Sequence, residues 1–390
     1  MRTLILTVLK KTGPNFFVFL LVLMFIDYSG YGYYFFYLPL LYLLFHKGYQ
    51  LVDVTFMFLL LWGIFYGVTN FTNFGYLNYA SILMPIINFP FSYLMGKYVG
   101  YYNTKDNIIN ILFQLSLALA FISLISVFLD IDKNGFVRID NVRNIPLIGY
   151  SLDSFNATNI NSKMMPLVIF SIFVFFPIKF KKKILYVTCS FLVILCSVRL
   201  QSRTMILFFL FLFFIAFVVA WRAFDVKKKI AGLFIFVLFI VTIVYIILTF
   251  SQELTILNRL QNDDISSGGG RTELMIRVLE NLKDYPLGGM NKEISIFAHN
   301  LWLDCARVAG IIPFLLLILI SLKYVYNLFI YHFKVKDDFN LVLVITFISI
   351  ALFIVFLVEP VLEGVYMCFT FFCFLFGTLL ARINILKHIK

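Results

Sequence analysis

Charge is scarce in this 390-residue chain: Asp, Glu, Lys and Arg make up 13% of it, against 62% hydrophobic residues. That balance excludes an ordinary soluble protein, because no globular core hides so many apolar side chains, 49 of them Phe. They must face lipid, or one another within lipid. Cysteine is also sparse, and five Cys exclude a disulfide scaffold. Cys189, Cys196, Cys368 and Cys373 fall inside apolar runs, and only Cys305 lies near an expected aqueous face, so neither a disulfide nor a thiolate metal site is expected. With 20 Gly and 10 Pro there is no collagen or linker signal. No internal repeat stands out.

What the chain does have is long apolar runs. A membrane-crossing helix needs about 20 mostly apolar residues, and such runs predict about 12 transmembrane helices, near 13–29, 31–46, 53–70, 77–97, 107–129, 164–180, 184–200, 203–221, 230–250, 309–330, 340–358 and 361–381. The expected fold class is therefore an all-α, polytopic integral membrane protein, with residues 1–390 as a single membrane domain. Asp27-Tyr28-Ser29-Gly30-Tyr31-Gly32 interrupts the first aromatic stretch, which leaves one tilted helix or two. Arg2, Lys10 and Lys11 precede it without a small-residue cleavage site, so an uncleaved first helix is expected.

The net charge of +12 raises nucleic acid as a partner, but its distribution removes that reading. An even number of crossings puts both termini on one face, together with Lys47, Lys97, Lys181 to Lys183, Lys227 to Lys229, Lys334 and Lys336. The basic face is the cytoplasmic one. Opposite it lie two loops too long to be turns, 130–163 and 251–308, and long loops in a compact protein carry function. The spans hold almost no ionisable residue away from their ends, Lys323 being the nearest exception, which weighs against ion-coupled transport.

Chemistry-bearing residues collect on the outward side. Arg199 and Arg203 flank the hairpin Leu200-Gln201-Ser202, either as interfacial anchors or, on the face where cations are disfavoured, as ligands of something anionic. In Gly268-Gly269-Gly270-Arg271-Thr272-Glu273, glycines lead into a helix-like stretch, Leu274 to Lys283, with an apolar face. Free N–H groups and a guanidinium suit phosphate oxygens there, although a glycine run is equally an ordinary hinge. Among the four His, His299 alone faces outward. It is a candidate general base or hydrogen-bond donor, with Asn300 or Asp304 to orient it; as a cap it would need no further role. A helix continuing through it would place His299, Leu303 and Arg307 on one face. Asp263-Asp264 reads as a solvated pair, and Glu359 and Glu363 either pair with the arginines or bind sugar hydroxyls. There is no P-loop, HExxH or CxxC pair. No metal and no cofactor are expected.

Taken together, Ser202-Arg203-Thr204, Gly269-Gly270-Arg271-Thr272-Glu273, Tyr285-Pro286-Leu287-Gly288-Gly289 and His299-Asn300-Leu301-Trp302-Leu303-Asp304 resemble the O-antigen polymerase and ligase superfamily. With Ala309-Gly310-Ile311-Ile312-Pro313 they look more like the Wzy-type polymerases. The motifs span about 184–330, and their specificity lies in the combination. The resemblance implies a GT-C-like helical bundle with a large periplasmic loop in a bacterial inner membrane. It also implies metal-independent, inverting glycosyl transfer between undecaprenyl-pyrophosphate-linked oligosaccharides, with membrane lipid and a chain-length regulator as further partners and no nucleic acid. His299, Arg203 and Arg271 then become the expected catalytic residues, and Arg199, Gly269, Gly270, Thr272, Glu273, Asn300 and Asp304 the expected pyrophosphate or glycan contacts. A ligase moving polymer onto lipid A core and a non-enzymatic lipid-glycan flippase are the alternatives.

Overall fold

A computed structural model describes residues 15–28, 32–46, 48–74, 82–136, 144–149, 154–176, 178–223, 271–291, 294–295, 297–334 and 339–388, with scattered residues between 230 and 245. Most of the expected span at 230–250 lies outside the described residues, as do Asp263, Asp264, Gly269 and Gly270. Among the described residues seven helices are long and apolar enough to cross a membrane: Val54–Phe74, Lys105–Asn134, Ala157–Val174, Arg203–Trp221, Ile311–Phe333, Phe339–Val358 and Tyr366–Lys387. The chain is thus an all-α membrane protein in class. Among the described residues the one departure is an antiparallel ladder of β1 (Asn144–Pro146) and β2 (Ser154–Asn156), with Ile145 opposite Phe155.

The helices are, in order, α1 (Asn15–Ile26), α2 (Gly32–Phe35), α3 (Tyr37–Phe45), α4 (Val54–Phe74), α5 (Phe89–Tyr102), α6 (Lys105–Asn134), α7 (Ala157–Val168), α8 (Phe180–Arg199) and α9 (Arg203–Ala223). After the undescribed stretch come α10 (Arg271–Asn281), α11 (Leu301–Ala309), α12 (Ile311–Lys334), α13 (Phe339–Val358), α14 (Val361–Gly364) and α15 (Tyr366–His388). The chain divides into two compact units: Met1–Leu119 with Gly270–Lys390, and Ala120–Gly269.

In the first unit α15 packs along α5 at glycine contacts. A Cβ on Gly96 would lie 1.8 Å from the Phe374 carbonyl oxygen, and one on Gly377 would lie 1.9 Å from that of Tyr93. Only glycine lets the two backbones approach so closely. Thr378 Oγ1 donates across this contact to the Gly96 carbonyl at 3.2 Å. Phe356, Phe369, Phe372 and Phe376 of α13 and α15 form an aromatic core with Tyr324 of α12.

Three expectations change at the level of elements. The aromatic stretch near the N-terminus is broken, because Asp27 takes a left-handed conformation, φ 50°, and accepts the Gly32 N–H at 3.2 Å and the Tyr366 hydroxyl at 3.1 Å. The loop expected at 130–163 is shorter, since α6 runs to Asn134 and α7 begins at Ala157 behind an Asn156 cap. Lys97, counted towards the cytoplasmic charge, is buried at 4% exposure. Its Nζ lies 2.6 Å from Asp53, which also accepts the Tyr93 hydroxyl, so this lysine is an ion-pair partner inside the fold.

Candidate active site

The hairpin that carries Arg199 and Arg203 lies in the second unit. Helix α8 ends in a Schellman turn: the Ser202 N–H reaches the Ser197 carbonyl at 3.0 Å, the Gln201 N–H reaches that of Val198 at 2.9 Å, and Gln201 is left-handed at φ 52°. Arg199, 5% exposed, donates from Nη2 to Asp130 Oδ2 at 2.6 Å, and Asp130 also accepts from Asn134. One turn below, Ser197 donates to Asn161 at 3.0 Å. Arg199 therefore serves first to neutralise a buried carboxylate and tie the end of α8 to α6. Arg203, part-exposed, opens α9 on the far side of the turn.

The rest of the described site lies in the first unit. Arg271 is the first residue of α10, close to the expected start at Leu274, and Glu273 follows in the first turn, where a carboxylate favours the helix dipole. Thr272 and Glu273 are both exposed. Val278 packs under α10 against Met290, Ala298 and Ala306, with Leu282, Tyr285 and Leu303 around them. This small core fixes α10 on α11. The Arg271 guanidinium, 27% exposed, lies 3.5 Å from Glu359, whose side chain is 4% exposed. The carboxylate at the head of the last hairpin thus pairs with an arginine, one of the two uses the sequence leaves open.

The segment 285–310 is stapled as a unit. Gly288, Gly289 and Gly310 all have φ above 80° or at it. A Cβ on Gly288 would lie 2.5 Å from the Val308 carbonyl oxygen. The Gly289 and Met290 N–H groups donate to the carbonyls of Val308 and Arg307, and that of Ile311 to Pro286. Asn73, in the last turn of α4, donates to the carbonyls of Leu287 and Val308 at 2.9 and 3.0 Å. The Tyr-Pro-Leu-Gly-Gly turn is therefore the clasp that closes the C-terminal end of α11.

Each residue of the His-Asn-Leu-Trp-Leu-Asp stretch has a distinct task. Asn300 caps α11 by accepting the Leu303 N–H at 3.2 Å. Leu301 is buried, and Leu303 packs on the Val278 core. Trp302 donates from Nε1 to Ser321 of α12 at 3.0 Å and stacks on Phe353 of α13. Asp304 reaches back and accepts two backbone N–H groups, Ala298 at 2.7 Å and Asn300 at 3.1 Å. Between those two amides stands His299, left-handed at φ 52°. The expectation that His299 shares a helix face with Leu303 and Arg307 is therefore corrected: the helix starts at Leu301, and His299 precedes it on a strained turn.

The imidazole of His299 is half-buried beside Phe297, with ring centroids 6.3 Å apart. Its buried Nδ1 has no hydrogen-bond partner among the described residues. Burial first, and then the charge of Arg271, hold its pKa below the ordinary 6.5, so it is a neutral base at neutral pH. Burial pushes the Asp304 carboxyl up to about 7, with Glu363 adding to the rise, while the two backbone N–H groups and Arg307 oppose it.

Arg307, which the sequence reading placed on a helix face without a task, joins these groups. It is 4% exposed. Its Nη2 pairs with Glu363, its Nε lies 3.6 Å from Asp304, and its guanidinium covers the Phe297 ring at 5.5 Å. The i,i+3 spacing of Asp304 and Arg307 on a helix was the available signal. Cys305, expected near water, is instead fully buried. Among the described residues no three His, Cys, Asp or Glu side chains are grouped to hold a metal ion. Chemically, the first unit presents a half-buried imidazole and a part-exposed guanidinium, with the buried carboxylates of Asp304 and Glu359. No protein-family model matches this chain, and no curated protein matches it.

Proposed function

We propose that this protein is a polymerase of lipid-linked glycan repeat units, of the O-antigen type, working at the outer face of a bacterial inner membrane. In this reading the chain crosses the membrane 12 times with both termini in the cytoplasm, as its apolar runs and basic residues imply. The observation that carries the reading is a half-buried His299 with an unpartnered Nδ1 in the same unit as the part-exposed Arg271 that opens α10, whose charge helps to lower the imidazole pKa. A base next to an anion-binding cation is what transfer from a lipid pyrophosphate requires.

The reaction follows from those two groups. A sugar hydroxyl of the acceptor attacks the anomeric carbon of the donor from the side opposite its phosphate, so the configuration inverts. The new glycosidic C–O bond forms as the anomeric C–O bond to undecaprenyl pyrophosphate breaks, and the bonding pair leaves with the pyrophosphate. Arg271 stabilises that charge, with Thr272 and Glu273 beside it as glycan contacts. His299 takes the hydroxyl proton. Arg203 is proposed as a second pyrophosphate ligand. Arg199 is proposed to act through Asp130, by fixing the turn that presents Arg203.

The experiment is a lipopolysaccharide gel of a strain lacking the gene, complemented with wild type, Arg271→Ala and His299→Ala at matched membrane levels. The proposal expects core capped by a single repeat unit in the null and in both variants, each variant losing about 10²- to 10³-fold of polymer as for a removed transition-state donor. Bare core in the null indicates a ligase. An unchanged ladder refutes the reading.

A further inference from the structure

The sequence leaves Asn300 and Asp304 as interchangeable partners for His299, and the geometry separates them. The Asn300 side chain is spent on the cap of α11. Both Asp304 oxygens accept from backbone instead, Oδ1 from the Ala298 N–H and Oδ2 from the Asn300 N–H. Those amides flank His299 on either side, and His299 has φ 52°. A non-glycine residue is rarely left-handed, because its Cβ crowds the following carbonyl oxygen. Two short bonds from one carboxylate, itself 1% exposed, are a physical reason for that turn to persist. Nothing else described bonds to the His299 ring, so its direction is set by its backbone and by burial against Phe297.

We propose that Asp304 is the positioning residue of the site, holding His299 in its left-handed turn by bracketing the amides on both sides, so that the imidazole stands beside Arg271 with a free lone pair. Arg307 completes the bracket. It lies 3.6 Å from Asp304, donates to the Met290 carbonyl at 3.3 Å and pairs with Glu363. The carboxylate is therefore fixed from α11, from the clasp segment and from α14. This inference rests on the reading of His299 as the base, but its geometric part stands apart from which reaction that base serves.

Asparagine at 304 is the sharp probe. It is nearly the same size, yet its amide has one acceptor oxygen, and its NH₂ would face the second backbone N–H. One tether is lost and a donor meets a donor. The groups facing His299 and the bracket are Arg271, Glu359, Asp304, Arg307, Glu363 and, in α4, Tyr66, so a change of titration in Asp304→Asn must be read with all of these present.

The experiment labels the full-length protein in detergent with diethylpyrocarbonate and follows carbethoxylation of His299 by mass spectrometry from pH 5 to 8.5, in parallel with polymer formation. In wild type the labelling midpoint lies below about 6.5, the unperturbed value. In Asp304→Asn it moves up towards that value and the limiting rate rises, as the ring loosens into water. Polymer formation falls about 100-fold in kcat with KM little changed, the scale for a misplaced catalytic group. Asp304→Glu keeps charge and both acceptors and recovers part of each readout, and it also serves if Asp304→Asn does not accumulate. An unchanged labelling profile in both variants overturns the bracket. Shifted labelling with polymer formation intact upholds the bracket and sinks His299 as the base.

Discussion

Among the described residues three that are not glycine are left-handed, Asp27, Gln201 and His299, and the last two, each at a helix end, are held in opposite ways. Gln201 follows α8 and is closed by that helix's own carbonyls in a Schellman turn. His299 precedes α11 and is held by a carboxylate that reaches back from inside the helix. Near the first, Arg199 is buried against Asp130 and its charge is matched. Near the second, the imidazole keeps an unpartnered Nδ1, and Arg271 is still 27% exposed. Backbone strain is therefore no sign of chemistry by itself. It becomes one where the side chain at the strained position is left free and polar, and where another residue is committed to keeping it there.

The comparison breaks most visibly at the buried pair of the second unit. Arg199→Ala leaves Asp130 buried and uncompensated, which costs about 3–5 kcal/mol. Loss of folded protein in membranes, measured by fluorescence-detected gel filtration of a tagged chain, is the expected outcome, with recovery when Asp130 is also replaced by Leu. A fully accumulating but inactive Arg199→Ala would instead assign that arginine to the substrate.

At the first unit the same kind of change should spare the fold and remove the function. Arg271→Ala is expected to keep its gel-filtration profile, because Arg271 is part-exposed and its contact with Glu359 is long at 3.5 Å. It should lose about 10²- to 10³-fold in polymer formation, or about 2.7–4 kcal/mol of transition-state stabilisation. Its His299 labelling midpoint should rise, since the positive charge that depresses it is gone.

Glycine at the two strained positions sharpens the contrast further. Gln201→Gly relieves the left-handed strain at some entropic cost, a net gain of up to about 1 kcal/mol. His299→Gly should gain a similar amount in thermal stability and yet form no polymer. Equal activity in the two glycine variants would refute the distinction drawn between the turns.

The smallest effect is on the pH dependence of stability. Asp304 has its pKa raised to about 7, so the folded protein keeps a proton there that the unfolded chain gives up. Its contribution is present at low pH and is lost as pH rises through the window from about 4 to about 7. His299 has the opposite sign: its lowered pKa means the unfolded chain binds the proton more tightly, so stability rises with pH up to about 6.5. Asp304→Asn should remove the first slope, and thermal midpoints from pH 5 to 8 would show the loss.

Much of this was legible in one dimension, for a physical reason. Apolar runs of membrane length mark helices whatever their packing, and the Leu274-to-Lys283 periodicity marks α10 because one of its faces must meet the small core around Val278. The cap before α11 lies one residue beyond the expected one: the sequence offers His299 as a cap and Asn300 as its partner, whereas Asn300 is the cap. What stayed hidden depends on residues far apart in the chain. Nothing local distinguishes Lys97, buried on Asp53, from a lysine in water, and nothing links Arg307 to Glu363 before α11 and α14 are brought together. Asp304 is the instructive miss. Its spacing from Asn300 suggests a side-chain partner for His299, while its actual partners are two amides, exposed to it only because His299 turns left-handed.

The most direct test of the central claim is polymer formation by the purified protein in detergent, supplied with undecaprenyl-pyrophosphate-linked repeat units and no second compartment. A glycan ladder from wild type, absent from His299→Gly and Arg271→Ala preparations that elute normally, is the result this account predicts. Failure of the wild type to extend its substrate, or a ladder of undiminished length from His299→Gly, would contradict it.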